Sequence, residues 1–327
     1  MKIGNTELRH GIFLAPMAGF SDRAMRRVCH DMGAEYSVTE MISAKAVTFG
    51  DKKTFSLARI RDDEGPVALQ IFGSDPDVMG HAAEILSKRE WGDGYVTPSA
   101  IDINMGCPVN KIFSNGEGSA LMRDPDLIYR IVRSVKDNTD LPVTVKHRTG
   151  VNSECINAIE CALAAEAGGA ELITVHGRTR AQMYSGKVDR KTIKKVKQSV
   201  HIPVIANGDI LSADDALSML SDTGADGIAV GRGAVGNPFL FKEITAALGD
   251  DEYKVPSLDE KIDVALWQLR LSIEDKGERV AVPEARKQIA LYLRSFRGAA
   301  TLRAEINRAL TYGEIERILI EALKNEN

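Results

Sequence analysis

The chain of 327 residues has little cysteine, few aromatic residues and no long apolar run, and each shortage removes a class of protein. Its four cysteines, Cys29, Cys107, Cys155 and Cys161, form no CxxC pair and have no histidines at zinc-binding spacing. Neither a disulfide framework nor a metal site is therefore expected, and Cys29, Cys155 and Cys161 read as ordinary reduced thiols. No stretch approaches the roughly 18 apolar residues of a membrane span, and MKIGNTELRHGIFLAPMAG lacks the apolar centre of a signal peptide, so a cytoplasmic protein that binds no membrane is expected. A net charge of −4 excludes a uniformly basic nucleic-acid binder, although it leaves room for a local basic patch.

What is present is a rhythm. Short β-branched runs alternate with helical patterns of about a dozen residues, the sign of βαβ units and a parallel sheet. The runs are IFLAPM, YSVTEM, VALQIF, IDINM, VTVKH, LITVH, PVIAN and GIAVG. They predict an α/β fold, a (β/α)8 TIM barrel. A repeat supports it: MGAEYSV, GGAELITV and TGADGIAV share one helix-to-strand turn, while GPVALQ, LPVTVK and IPVIAN open the strands between. REWGDGYVTPSA, residues 89–100, breaks the alternation and reads as an insertion at the barrel bottom. The β runs stop after GRGAVGNPFLF, and from about Tyr253 the pattern is helical. Two domains are expected: a barrel over residues 1–250 and a small C-terminal helical domain over 251–327.

Barrel chemistry sits on the loops after the strands. Those positions hold Pro16, Met17 and Ala18, then Glu40, Gln70, Asn104 with Cys107, Lys146 with Arg148, His176 with Arg178, Asn207-Gly208-Asp209, and Gly231-Arg232. NGDI and GRGAVGNP stand after the seventh and eighth strands, where barrels commonly hold phosphate on backbone N–H groups, with Lys146 and Arg232 as sources of positive charge. A phosphorylated ligand is the expectation.

The set APMAGFSD, VTEM, QIFG, INMGCPVNK, VKHRTG, VHGRTRAQMYSG, IPVIANGDI and GRGAVGNPFLF resembles, in order, the tRNA-dihydrouridine synthase family of bacterial type. The resemblance implies an FMN enzyme that reduces the C5–C6 double bond of uridines in tRNA with NADPH, for which no separate nucleotide domain is expected. It implies that Pro16, Met17 and Ala18 line the flavin, that Gln70 and Lys146 contact its ring with His176 close by, and that Asn207, Gly208, Asp209, Gly231 and Arg232 hold its ribityl phosphate. Cys107 is implied as the proton donor.

Elementary chemistry agrees with that role. Hydride addition at C6 of uracil requires an acid at C5, and a thiol of ordinary pKa still carries its proton at neutral pH. Pro108 restricts the residue before it and helps aim the thiol. Asn104 and Arg178, alongside Lys146 and His176, are candidates to bind the uracil carbonyls or the flavin, and Tyr184 to stack on or near the extracted base. His147 receives no role, and Phe239 stands where many relatives of this kind carry Trp.

The segment from Arg279 to Arg308 carries seven basic residues against Glu284 and Glu305. Ile289, Tyr292, Leu293 and Phe296 share one helical face and Lys287, Arg294 and Arg297 another, the first for packing and the second for RNA phosphates. A monomer is expected. A small-molecule FMN reductase of pyrimidines is the principal alternative, and a non-catalytic tRNA-binding protein a third.

Overall fold

Successive side chains of a strand point to opposite faces, so a run such as AIDINM sorts itself into two sets. Ile101, Ile103 and Met105 fall on one face, Ala100, Asp102 and Asn104 on the other. The computed structural model, which describes residues 1–327 apart from 91, 93, 250, 295–297 and 325–327, closes eight such runs into a parallel barrel. They are β1 (Ile12–Leu14), β2 (Tyr36–Val38), β3 (Val67–Phe72), β4 (Ala100–Met105), β5 (Val143–Arg148), β6 (Leu172–His176), β7 (Val204–Asn207) and β8 (Gly227–Val230). Closure comes from β8 pairing with β1, Val230 opposite Leu14. Each of the expected runs is a strand, and the TIM barrel stands.

The two faces have different neighbours. Ile101, Ile103, Val143 and Val145 pack outward with helix residues such as Leu86, Ile131 and Val135. Phe13, Tyr36, Ala68, Ala100, Leu172 and Ile205 point inward and form an apolar floor, the Phe13 and Tyr36 rings 5.0 Å apart. A hairpin of Lys2–Ile3 against Thr6–Glu7 closes the floor from below, with Ile3 and Leu8 joining its cluster. The sequence reading has no strand there, because two residues carry no period.

The outer helices are α1 (Arg23–Asp31), α2 (Pro76–Lys88), α3 (Pro125–Asp137), α4 (Ala158–Gly168), α5 (Arg190–Ser199), α6 (Ala213–Thr223) and α7 (Leu240–Gly249). Asp22, Asp75, Asp124, Asp189 and Ser212 each accept a backbone N–H of the first turn and fix where α1, α2, α3, α5 and α6 begin. Gly169 and Gly224 end α4 and α6 in the left-handed region, which explains the repeated Gly-Ala turn. In the 89–100 segment, Val96 N–H donates to Ile60 O at 2.9 Å, and the Tyr95 ring lies under Arg59 and Arg61. That segment is thus anchored on the connection from β2 to β3.

The tail consists of α8 (Leu258–Lys276), α9 (Glu278–Tyr292), α10 (Ala299–Ile306) and α11 (Tyr312–Lys324). Ile262, Leu269, Val282 and Ile289 belong to the same apolar cluster as Met25, Phe241 and Ile244 of the barrel helices. Gln268 joins α8 to α9, donating to Gln288 Oε1 at 2.6 Å and accepting from Tyr292 OH at 2.5 Å. Lys276 Nζ ties the tail to the barrel through Asp22 Oδ2 at 2.6 Å, the residue that caps α1. Ile289, Tyr292 and Leu293 are buried as the stripe expected, while Phe296 and Arg297 lie outside the described residues. The helix ends at Tyr292, so Arg294 sits in the following turn and not on a helical face.

Candidate active site

Above the apolar floor the inward positions turn polar. Gln70, Asp102 and Thr144 form one tier across β3, β4 and β5, and Asn104, Lys146, His176 and Asn207 stand above them. The tier is hydrogen-bonded in one direction only. Thr144 Oγ1 donates to Asp102 Oδ1 at 2.5 Å and Gln70 Nε2 to Asp102 Oδ2 at 2.7 Å. A carboxylate only accepts, so Gln70 must turn its oxygen outward, where Asn104 Nδ2 donates to it at 2.7 Å. Asn104 is left with Oδ1, which takes the N–H groups of Gly106 at 3.1 Å and Cys107 at 2.9 Å.

Cys107 is therefore held by its backbone. Its carbonyl accepts from Ser119 Oγ at 2.8 Å, and Gly118, at φ +61, approaches so closely that a Cβ there would stand 3.0 Å from the Cys107 Cβ. Burial pushes the thiol above its ordinary value, against weaker opposing pulls from the Val109 N–H, Arg148 and Lys146. Burial and Arg148 bring the Lys146 ammonium down to about 8, with Asp102 and Cys107 working the other way. His176 is lowered to about 2 by burial and by Lys146, Arg148, Arg178 and Arg232, so its ring is neutral. His147, next along β5, points to the opposite face, fully buried, its Nδ1 2.7 Å from Arg148 O.

These groups open into a cavity of about 600 Å³, a size that suits a cofactor or drug-sized ligand. Pro16, Met17, Ala18, Gln70, Asn104, Cys107, Lys146, His176, Tyr184, Asn207, Gly208, Asp209, Gly231, Arg232 and Arg294 all line it. Apolar wall comes from Ala15, Met41, Ile210, Val235 and Leu291. At the corners after β7 and β8, the backbone N–H groups of Gly208, Asp209, Gly231, Arg232 and Gly233 donate to no other described residue. Asp209 adopts φ +52 and Gly208 φ +125, which bends the chain around this point. Unpaired N–H groups on two adjoining corners, with the Arg232 side chain exposed beside them, fit a phosphate, and the apolar wall fits a flat aromatic ring. GRGAVG has GxGxxG spacing, yet it follows the last barrel strand, and its later glycines serve packing: a Cβ at Gly233 would meet Ile210 O at 2.3 Å.

Two sequence candidates, Arg178 and Lys287, lie outside the lining of this cavity. Arg178 is buried beside the mouth, its guanidinium donating to Ser185 O at 3.0 Å, Gly186 O at 2.5 Å and Asp209 Oδ2 at 2.7 Å. It shapes the loop that carries Tyr184. Lys287 is exposed beside the cavity, its Nζ 4.3 Å over the Phe20 ring, and Arg297 lies outside the described residues. Asp102, Met41 and the lining role of Arg148 were missing from the sequence candidates. The period-two reading of IDINM was the available signal for Asp102, since it shares the inward face with Asn104. Arg148 spans two loops, donating to Gly106 O at 2.7 Å, Thr179 O at 3.0 Å and Met183 O at 2.9 Å.

Comparison with known proteins finds relatives that match almost the whole chain. Residues 13–327 match the family model described as Dihydrouridine synthase. The chain is 38% identical to tRNA-dihydrouridine synthase B of Pasteurella multocida, over 99% of this chain and 96% of that protein. It is 40% identical to tRNA-dihydrouridine synthase B of Pseudomonas putida, over 94% of this chain and 89% of that protein. Among solved structures, histamine dehydrogenase from Rhizobium sp. 4-9 superposes with a TM-score of 0.56 at 12% identity, covering 83% of this chain and 50% of that one, which is a likeness of fold.

Proposed function

The chain belongs to the dihydrouridine synthase family, and from that premise we propose that it is an FMN-dependent tRNA-dihydrouridine synthase that uses NADPH as reductant. Pro16, Met17, Ala18, Gln70 and Lys146 would hold the flavin ring, with His176 beside it. The corners at Asn207–Asp209 and Gly231–Arg232 would hold its phosphate. A reduced flavin held there would supply the hydride for C6 of uracil.

The protein's own residues complete the addition. Cys107 Sγ gives its proton to C5, forming the C–H bond as the S–H bond breaks, and solvent returns a proton to the thiolate. A thiol raised by burial keeps its proton at neutral pH, as an acid must before it acts. Lys146 and Arg148 lower the cost of the transient thiolate. The Asn104 clamp on the Cys107 N–H limits where Sγ can go. His176 is neutral and has no proton to give at the pH of the reaction, so it serves as a hydrogen-bonding group. Tyr184, half exposed at the rim with Arg232 5.0 Å from its ring, offers a face for the extracted base.

One observation carries the reading: a cysteine fixed by its backbone, its thiol pushed up by burial, lines the same cavity as the unpaired N–H corners and Lys146. The test is nucleoside mass spectrometry of unmodified tRNA incubated with the protein, FMN and NADPH. Uridine heavier by two hydrogens at defined positions is expected. Cys107→Ala is expected to keep the flavin and lose about 10²- to 10⁴-fold in turnover. Full turnover in that variant, or reduction of free pyrimidines at the rate seen with tRNA, would sink the assignment.

A further inference from the structure

Two cations on the barrel rim stand together without a counter-ion among the described residues. Phe113 lies in the short helix Asn110–Ser114, six residues beyond Cys107, and Arg123 closes the turn Gly118–Arg123 on the same loop. Arg180 comes from a different loop, after β6. The guanidinium carbons of Arg123 and Arg180 stand 4.4 Å and 4.1 Å from the centroid of the one Phe113 ring. They are thus less than about 10 Å apart, within a Debye length at 0.1 M salt, and repel each other.

Cation–ring attraction accounts for part of their placement. Carboxylates do not neutralise them: Arg180 donates to the neutral Asn110 Oδ1, and neither arginine has an acidic partner among the described residues. Two other rim arginines differ, for Arg178 and Arg232 are both paired with Asp209. Lys111, exposed on the Phe113 helix, adds to the same charge. Two like charges fixed on one ring, and left uncompensated, form a site for an anion.

Position in the ring of strands indicates which anion. The loops after β4 and β6 lie across the barrel from β8 and β1, where the tail brings Arg294 and Lys287 to the mouth. A polyanion delivering a base into the cavity would rest on cations at both sides. We propose that Arg123 and Arg180, stacked on Phe113, form a phosphate-binding site on the barrel rim that grips the RNA backbone opposite the helical tail. The inference rests on the tRNA reading above and adds a barrel-side grip to it.

The experiment measures binding of an unmodified tRNA transcript to the flavin-loaded full chain between 50 and 200 mM KCl, for the wild type, R123A/R180A and R123K/R180K. Flavin content and dihydrouridine formation are followed in the same preparations. Because the phosphate held there would no longer be neutralised, the alanine pair should bind about ten-fold more weakly, and the slope of log K against log salt should fall by about 0.7 to 0.9. Its flavin content should be unchanged, and the lysine pair should keep most of the slope. A wild-type slope and affinity in the alanine pair overturns the site while the tRNA reading stands, provided the wild type still makes dihydrouridine. Equal losses in the alanine and lysine pairs mean that the arginines act through loop structure, and the site falls. Failure of the wild type to bind or reduce tRNA removes the broader reading and this one together.

Discussion

At the scale of single residues, the directions of the Gln70 and Asn104 amides follow from one carboxylate. Asp102 accepts from Thr144 and Gln70 and so dictates that Gln70 presents oxygen to Asn104, and Asn104 presents oxygen to the Cys107 backbone. Asp102 also raises the affinity of Lys146 for its proton. Two predictions belong here. In the protein with no cofactor added, acylation of Lys146, followed by peptide mass spectrometry, should rise through a midpoint near pH 8, about two units before ordinary lysines. Below that midpoint the side chain is an ammonium and unreactive; above it the free amine reacts. Asp102→Asn removes the charge that opposes burial, so the midpoint should move lower still. An unchanged midpoint would mean that Asp102 is itself neutral, a state its burial favours. Cys107, Lys146 and His176 were legible because motifs and strand ends mark them. Asp102 carried a plain signal in IDINM, but its importance arises from Thr144 and Gln70 on neighbouring strands, and register across strands is not written in any one run.

At the scale of elements, two glycines with similar backbone angles make opposite demands. Gly224 (φ +66) ends α6 with nothing within 4 Å of where a Cβ would be. Gly236 (φ +70), in the loop after β8, would place a Cβ 2.5 Å from Leu291 Cβ and 2.8 Å from Tyr292 N, against the end of α9. Gly224→Ala should cost only the left-handed backbone penalty, about 1–2 kcal/mol. Gly236→Ala must also push barrel and tail apart, and more than about 3 kcal/mol is expected, read as a lower urea midpoint. Equal midpoints for the two variants would show that the loop yields freely. The strands and outer helices could be read from the sequence because their periods and caps are local. The N-terminal hairpin could not, since each of its strands is two residues long, and the end of α9 at Tyr292 was missed because the apolar stripe continues past it.

Across the whole molecule, barrel and tail share an apolar interior. We place the boundary between them near residue 250, as a division of topology and not of stability. Ala24 and Val28 of α1 pack on Leu271 of α8, and Met25 and Phe241 lie in one cluster with Leu269 and Ile289. A chain ending at residue 250 should therefore expose that face and either aggregate or bind a fluorescent apolar dye strongly, as size-exclusion chromatography and dye titration would report. A truncated protein that is monomeric and dye-silent would refute the shared core. The pairing of Leu14 with Val230, which closes the ring, also sets a schedule. During synthesis at about 5–20 residues per second, β1 waits roughly 10 to 40 s for β8 to be made. Until then the cradle between Met17 and Gly231 has one wall. On the flavin reading proposed above, the cofactor would be a late arrival in the life of each chain, and a ribosome stalled before Val230 would hold a polypeptide that no supply of flavin could rescue.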